Sequence, residues 1–172
     1  MGGRLVAEIL YIKGNPEVEM REDYVVLRSG GCEEILTQGI RFPSSGDIGK
    51  QSAKVFDRIG NILASESFAV SDIVRQWNYI DHITTVDDGI QNYQLFNDAR
   101  SDFYSSVDWP NGYPAATGIG CDAGGVTVVV YAVKGFKGAD RPIDNPLQIP
   151  AHKYSGNVLA SGKEVVRTTP KF

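Results

Sequence analysis

Cysteine and histidine are scarce, with two of each in 172 residues. Cys32 and Cys121 stand far apart and form neither a metal-ligand spacing nor a disulfide framework. Two lone thiols suit a reducing compartment, where they read as small core residues. His82 and His152 have no Cys, His or Glu clustered about them, so no metal site and no bound cofactor is expected. A basic surplus is missing as well. Seventeen Lys and Arg face 21 Asp and Glu, for a formal net charge of -4. Such a chain has little with which to replace phosphate counterions, which argues against nucleic acid as a partner. Long apolar runs are also absent. The longest, Val126 to Val133, is far too short to span a bilayer. The opening MGGRLVAEIL shows no apolar h-region and no cleavage pattern, so no signal peptide is read there. The expectation is a cytoplasmic protein with no membrane partner.

What is present is ordinary globular material, 42% hydrophobic and 22% charged, enough for one domain across residues 1–172. Arg4 to Ile12, Tyr24 to Arg28 and Glu33 to Ile40 read as short strands separated by Gly-, Asn- and Pro-rich turns. Ile48, Val55, Phe56, Ile59, Ile62 and Leu63 recur at helical spacing behind Asp47, a natural N-cap. From Val70 to Ile83 the pattern alternates. Ile73, Arg75, Trp77, Tyr79, Asp81 and Ile83 share one face, and Val74, Gln76, Asn78, Ile80 and His82 the other. Asp87 or Asp88 is expected to cap a second helix with Ile90, Tyr93, Phe96, Arg100, Phe103 and Tyr104 along one stripe. Ala115 to Cys121 and Val126 to Lys134 then read as strands joined by an Asp-Ala-Gly-Gly hairpin turn. Residues 135–172 are loop-rich, punctuated by Pro142, Pro146 and Pro150, and are expected to pack on the same domain. The order β-β-(β)-α-β-α-β-β predicts an α/β (α+β) fold: one mixed sheet with two helices on one face.

The text of these elements resembles a known family. GDIGKQSAKVFDRIGNIL, DIVRQWNYIDHI and NYQLFNDARSDFY are similar to the first helix, middle strand and second helix of the RidA family, and PAATGIG sits at its Pro-Ala-Arg strand. That resemblance implies a homotrimer with ligand clefts between subunits. NYQLFNDAR, PAATGIG and IDNPLQIPAHKY further resemble the C-terminal domain of the chorismatases, two-domain enzymes that remove the enolpyruvyl group of chorismate. The RidA-type enamine/imine deaminases hold a substrate carboxylate with an Arg where this chain has Ala116, and activate water with a Glu that falls on Val129. Both departures disfavour deamination. In the chorismatase tail the catalytic Glu before Asn-Pro corresponds to Asp144, and the Arg after it to Leu147.

These resemblances imply a small anionic carboxylate as ligand and Asp144 as proton donor to an enolpyruvyl carbon, a task that suits a carboxylic acid of raised pKa. As a bare tripeptide, Asp-Asn-Pro also reads as a turn. Arg75 and Arg100 offer the bidentate fork a carboxylate needs, against the plainer reading of a snorkelling edge residue and a helix ion pair. Tyr93, Tyr113 and Tyr154 can present phenols to a ligand, or simply edge the core. Ala116, Gly118 and Gly120 leave a strand surface nearly bare, for a ligand's approach or for tight helix packing. Three functions compete: a chorismatase-like enzyme, a non-catalytic trimeric binder of a small carboxylate, and a deaminase.

Overall fold

Asp47 opens the first helix as expected: its carboxylate accepts from the Lys50 backbone N–H at 2.8 Å, satisfying one orphan donor of the first turn. The computed structural model describes residues 14–110, 112–122 and 124–136. In it this helix, α1, runs Ile48–Ser65, and a second, α2, runs Asn92–Tyr104. The strands are β1 Glu17–Met20, β2 Tyr24–Ser29, β3 Cys32–Thr37, β4 Ile40–Arg41, β5 Ile73–Asp81, β6 Val86–Asp87, β7 Ile90–Gln91, β8 Ala115–Cys121 and β9 Val126–Lys134. The expected Arg4–Ile12 strand, Asp144, His152 and Tyr154 lie outside the described residues.

The main sheet has the order β1-β2-β3-β9-β5-β8, with β4 also paired to β9. Every pairing is antiparallel except β5 with β8, which the α2 crossover makes parallel. Both helices pack on one face. Val55, Phe56, Ile59, Ile62 and Leu63 of α1 and Phe96 of α2 close over Val26, Ile35, Ile73, Ile80 and the even-numbered residues of β9, Val126 to Ala132. The Phe56 ring lies 5.5 Å from Phe96 and 5.2 Å from Phe103, which joins the two helices. The fold is therefore the expected one, a mixed sheet with two helices on one side.

Four local expectations change. β8 and β9 are consecutive but do not form a hairpin. The Asp122–Gly125 link passes the end of β5, where the Asp81 N–H donates to the Gly125 carbonyl at 2.9 Å, and β9 inserts between β3 and β5. Its near-continuous apolar text suits a strand flanked on both sides. Next, Ile73 pairs with Ala132 but Arg75 with Tyr131, so one extra residue on β5 moves Ile73 to the core face beside Gln76, Asn78 and Ile80. The predicted strand Glu33–Ile40 splits for a related reason. The Thr37 hydroxyl accepts from the Val130 N–H at 2.8 Å, and the chain resumes pairing one residue out of step at β4. Finally, Asp87 and Asp88 do not cap α2. Asp88 (φ 48°) and Gly89 (φ 80°) form the two-residue turn of a β6–β7 hairpin, and Gln91 precedes the helix without a side-chain cap.

Candidate functional site

Because strand side chains alternate, the sheet sorts the candidate residues into two groups. On the helix-covered side, Gln76 and Asn78 project from β5 among apolar neighbours and are fully buried. Buried amides must find partners. The Tyr104 hydroxyl donates to Gln76 Oε1 at 2.6 Å, and Gln76 Nε2 donates to Asn78 Oδ1 at 2.5 Å. One turn back along α2, Arg100 is 4% exposed; its Nη2 donates to Asn97 Oδ1 at 2.8 Å, and its guanidinium stands 5.7 Å from the Phe96 ring centre. Burial raises the Tyr104 phenol well above its ordinary pKa, with the charge of Arg100 acting in the opposite direction, so the hydroxyl stays a proton donor. Tyr104 also anchors an aromatic cluster, with Trp109 at 4.7 Å and Tyr113 stacked nearly parallel at 6.2 Å.

Ala116 lies in register with Gln76, so the small side chain borders this polar group. Gly118 and Gly120 face the same side. A methyl group on Gly120 would sit 2.7 Å from Ile83 Cγ2, and one on Gly118 3.4 Å from Tyr93 Cε2. Gly120 makes room for Ile83, whereas a methyl group on Gly118 would only touch Tyr93, a residue that remains 36% exposed.

The opposite side of the sheet is uncovered among the described residues. Arg75, Trp77 and Tyr79 of β5 share it with Thr117 and Ile119 of β8 and Val129 and Tyr131 of β9. Arg75 Nη2 donates to Thr117 Oγ1 at 2.6 Å, and the guanidinium lies 5.0 Å from the Trp77 ring centre. Tyr131, directly across from Arg75, donates to Glu34 Oε2. Burial first, and then this bond to Glu34, hold its phenol above the ordinary range. Arg75 and Arg100 thus occupy opposite sides of the sheet and do not form one clamp.

The remaining candidates are simpler. His82 follows β5 in the left-handed region (φ 44°) with Nε2 3.5 Å from Asp81 Oδ1. Cys32 and Cys121 form no disulfide with each other and are half-buried rather than enclosed in the core. Among the described residues no three His, Cys, Asp or Glu side chains gather as metal ligands, and no helix is long and apolar enough to cross a membrane. Sequence reasoning missed Gln76, Asn78, Asn97 and Tyr104 as a buried polar group. The readable signal was two amides on the same strand face as Ile80; their partner Tyr104, 28 residues from Gln76, carried none.

Comparison with known proteins places this geometry in context. The family model described as chorismatase FkbO/Hyg5-like, N-terminal, matches residues 10–132. A chorismatase from Streptomyces hygroscopicus is 32% identical over 118 residues, 67% of this chain and 33% of that protein. A crystal structure of a chorismatase superposes with a TM-score of 0.62 at 27% identity, over 91% of this chain and 44% of that one. A member of the YjgF/YER057c/UK114 family from Mycobacterium tuberculosis is also matched, at 16% identity over 62% of this chain and 82% of that one, with a TM-score of 0.47. The chain spans about a third of the curated relative's length. One correction follows: the resemblance pointed to the C-terminal chorismatase domain, whereas the model that matches is the N-terminal one.

Proposed function

The chain belongs to the chorismatase FkbO/Hyg5-like family, and on that premise we propose that it acts on chorismate or a related enolpyruvyl-bearing carboxylate. The observation that carries the reading is the extent of the match, which runs through β5, α2 and β8, the elements that hold Arg75, Tyr93, Arg100, Ala116, Gly118 and Gly120. In this reading the ligand lies in a cleft between subunits of a homotrimer in the cytoplasm. Arg100, Arg75, Tyr93, Tyr113 and Tyr154 supply donors, while Ala116, Gly118 and Gly120 shape the wall.

Asp144 is the proposed acid. Its carboxyl proton goes to the terminal methylene carbon of the enolpyruvyl ether, leaving an oxocarbenium ion. Water adds to that cation, the hemiketal collapses, and pyruvate and the ring alcohol separate, with the proton from water restoring the acid. Chorismate supplied to the purified chain should release pyruvate, read by coupling to lactate dehydrogenase. Asp144→Asn should reduce turnover by at least 10²-fold, the usual span of general acid catalysis. Absence of pyruvate release by the wild-type chain ends the proposal.

The departures from the chorismatase tail favour one further reading. With Asp144 and Leu147 in place of the Glu and Arg of the chorismatase tail, the chain also fits a carboxylate-binding protein without turnover. Its signature is thermal stabilisation by chorismate with the chorismate recovered intact. Deamination has no such support, since Ala116 and Val129 stand where that chemistry needs Arg and Glu.

A further inference from the structure

Arg75 differs from the ion-paired arginines. Arg21, Arg28 and Arg58 each meet a carboxylate. Arg75 has one hydrogen bond, to the neutral Thr117 hydroxyl, and no carboxylate within ion-pair distance among the described residues. A guanidinium carries five N–H donors in a planar fork, so a fixed cation with most of its donors unused lies half-buried on an uncovered sheet face. Its surroundings are aromatic and apolar: Trp77 beneath the fork, Val129 in register with Trp77, and Tyr131 across the strand pair at about 5 Å. Glu34 is the carboxylate of this region, and its bond with Tyr131 engages it away from Arg75.

We infer that this face carries a binding site for a small ring-bearing carboxylate, with Arg75 as the anion clamp and Trp77, Val129 and Tyr131 as the bed for the ring. Thr117 and Trp77 already hold the guanidinium in place, so little side-chain freedom is lost when a carboxylate takes the open edge of the fork. The fork edge and the aromatic bed lie side by side on adjacent strands, which matches a carboxyl group attached directly to a six-membered ring. The inference deepens the proposed function and rests on it for the ligand class, assigning the carboxylate to Arg75 rather than to the enclosed Arg100. It needs no reaction.

Isothermal titration of the full-length chain with benzoate tests it, with benzamide as the uncharged isostere. Benzoate should bind saturably and benzamide at least tenfold more weakly. Arg75→Gln should lower benzoate affinity at least tenfold with an unchanged circular dichroism spectrum, and Arg75→Lys should fall between. Should Arg75→Gln unfold, the Arg75→Lys and Trp77→Leu variants provide the same readout. Equal benzoate affinity in wild type and Arg75→Gln, or no saturable binding, overturns the inference. Chorismate turnover that survives Arg75→Gln with unchanged KM overturns it too, while leaving the proposed reaction intact. Arg75-dependent benzoate binding without wild-type turnover has the opposite meaning: the site stands and the reaction falls.

Discussion

At Gly120 a single hydrogen atom decides how the second crossover packs. The missing methyl group leaves the space that Ile83 Cγ2 fills at the end of β5. Gly120→Ala should therefore destabilise the fold by about 1–3 kcal/mol, the usual cost of overfilling a packed site. Adding Ile83→Ala should recover part of that loss, because the two changes share one contact and are not additive. Urea denaturation midpoints of the two single variants and the double variant check both statements. If Gly120→Ala is neutral, the glycine was not placed there for packing. The buried amide chain works by a different rule. Gln76 and Asn78 are held by Tyr104 because an unmade bond in that position costs more than the bond itself contributes.

Between elements, charge takes over from packing. Arg28 of β2 bonds to Glu19 of β1 and Glu33 of β3 and reaches Glu66 at the end of α1, while Lys134 of β9 also meets Glu33. The hydrogen bond from Arg28 holds Glu19 below the ordinary carboxylate value of 4.5, and that from Lys134 does the same for Glu33. A carboxylate depressed in the folded state stabilises the fold above its unfolded pKa and loses that contribution as pH falls through its folded one. Stability should accordingly decline from about pH 4.5 downward, and Arg28→Gln should flatten the decline. Denaturation midpoints at pH 6 and pH 3.5 for the two proteins measure the difference. These side chains are only half-buried, so 0.5 M salt should shrink it.

The same element scale shows what the sequence made legible. α1 could be read because one element contains its whole signal, the Asp47 cap and a stripe of Val55, Phe56, Ile59, Ile62 and Leu63. β1 was missed since EVEM is short and carries charge at alternate positions. β8 and β9 were each found, but their partners were not, because partner choice depends on β5, some 45 residues earlier. The extra residue in β5 hid for the same reason: alternation in one strand cannot report the register of its neighbour. The candidate site divided along that line. Arg75 was legible on a strand face with Trp77, whereas the enclosure of Arg100 depends on helix-to-sheet packing that no local pattern encodes.

For the whole molecule, the dominant fact is the sheet face that no described residue covers. Val18, Met20, Tyr79 and Ile119 are all at least one-third exposed there or along its edges. A sheet face with this much bare apolar surface calls for a covering partner, and the proposed homotrimer provides one. Light scattering coupled to size exclusion should give three times the chain mass of 18.8 kDa. Ile119→Asp should reduce it to one chain mass while circular dichroism remains unchanged. A monomeric wild-type protein would remove the homotrimer from the proposed function.

The position of β9 governs how the molecule can be made. It is the last described strand in the chain, yet it is the keystone of the sheet, the strand through which β1-β2-β3 and β5-β8 meet. A nascent chain halted before Val126 would hold two unjoined ribbons, each showing backbone groups meant for a strand not yet synthesised. Assembly of the sheet must therefore wait for the ribosome to deliver residues 126–134, which makes this a late-closing fold with long-range pairing as its slow step.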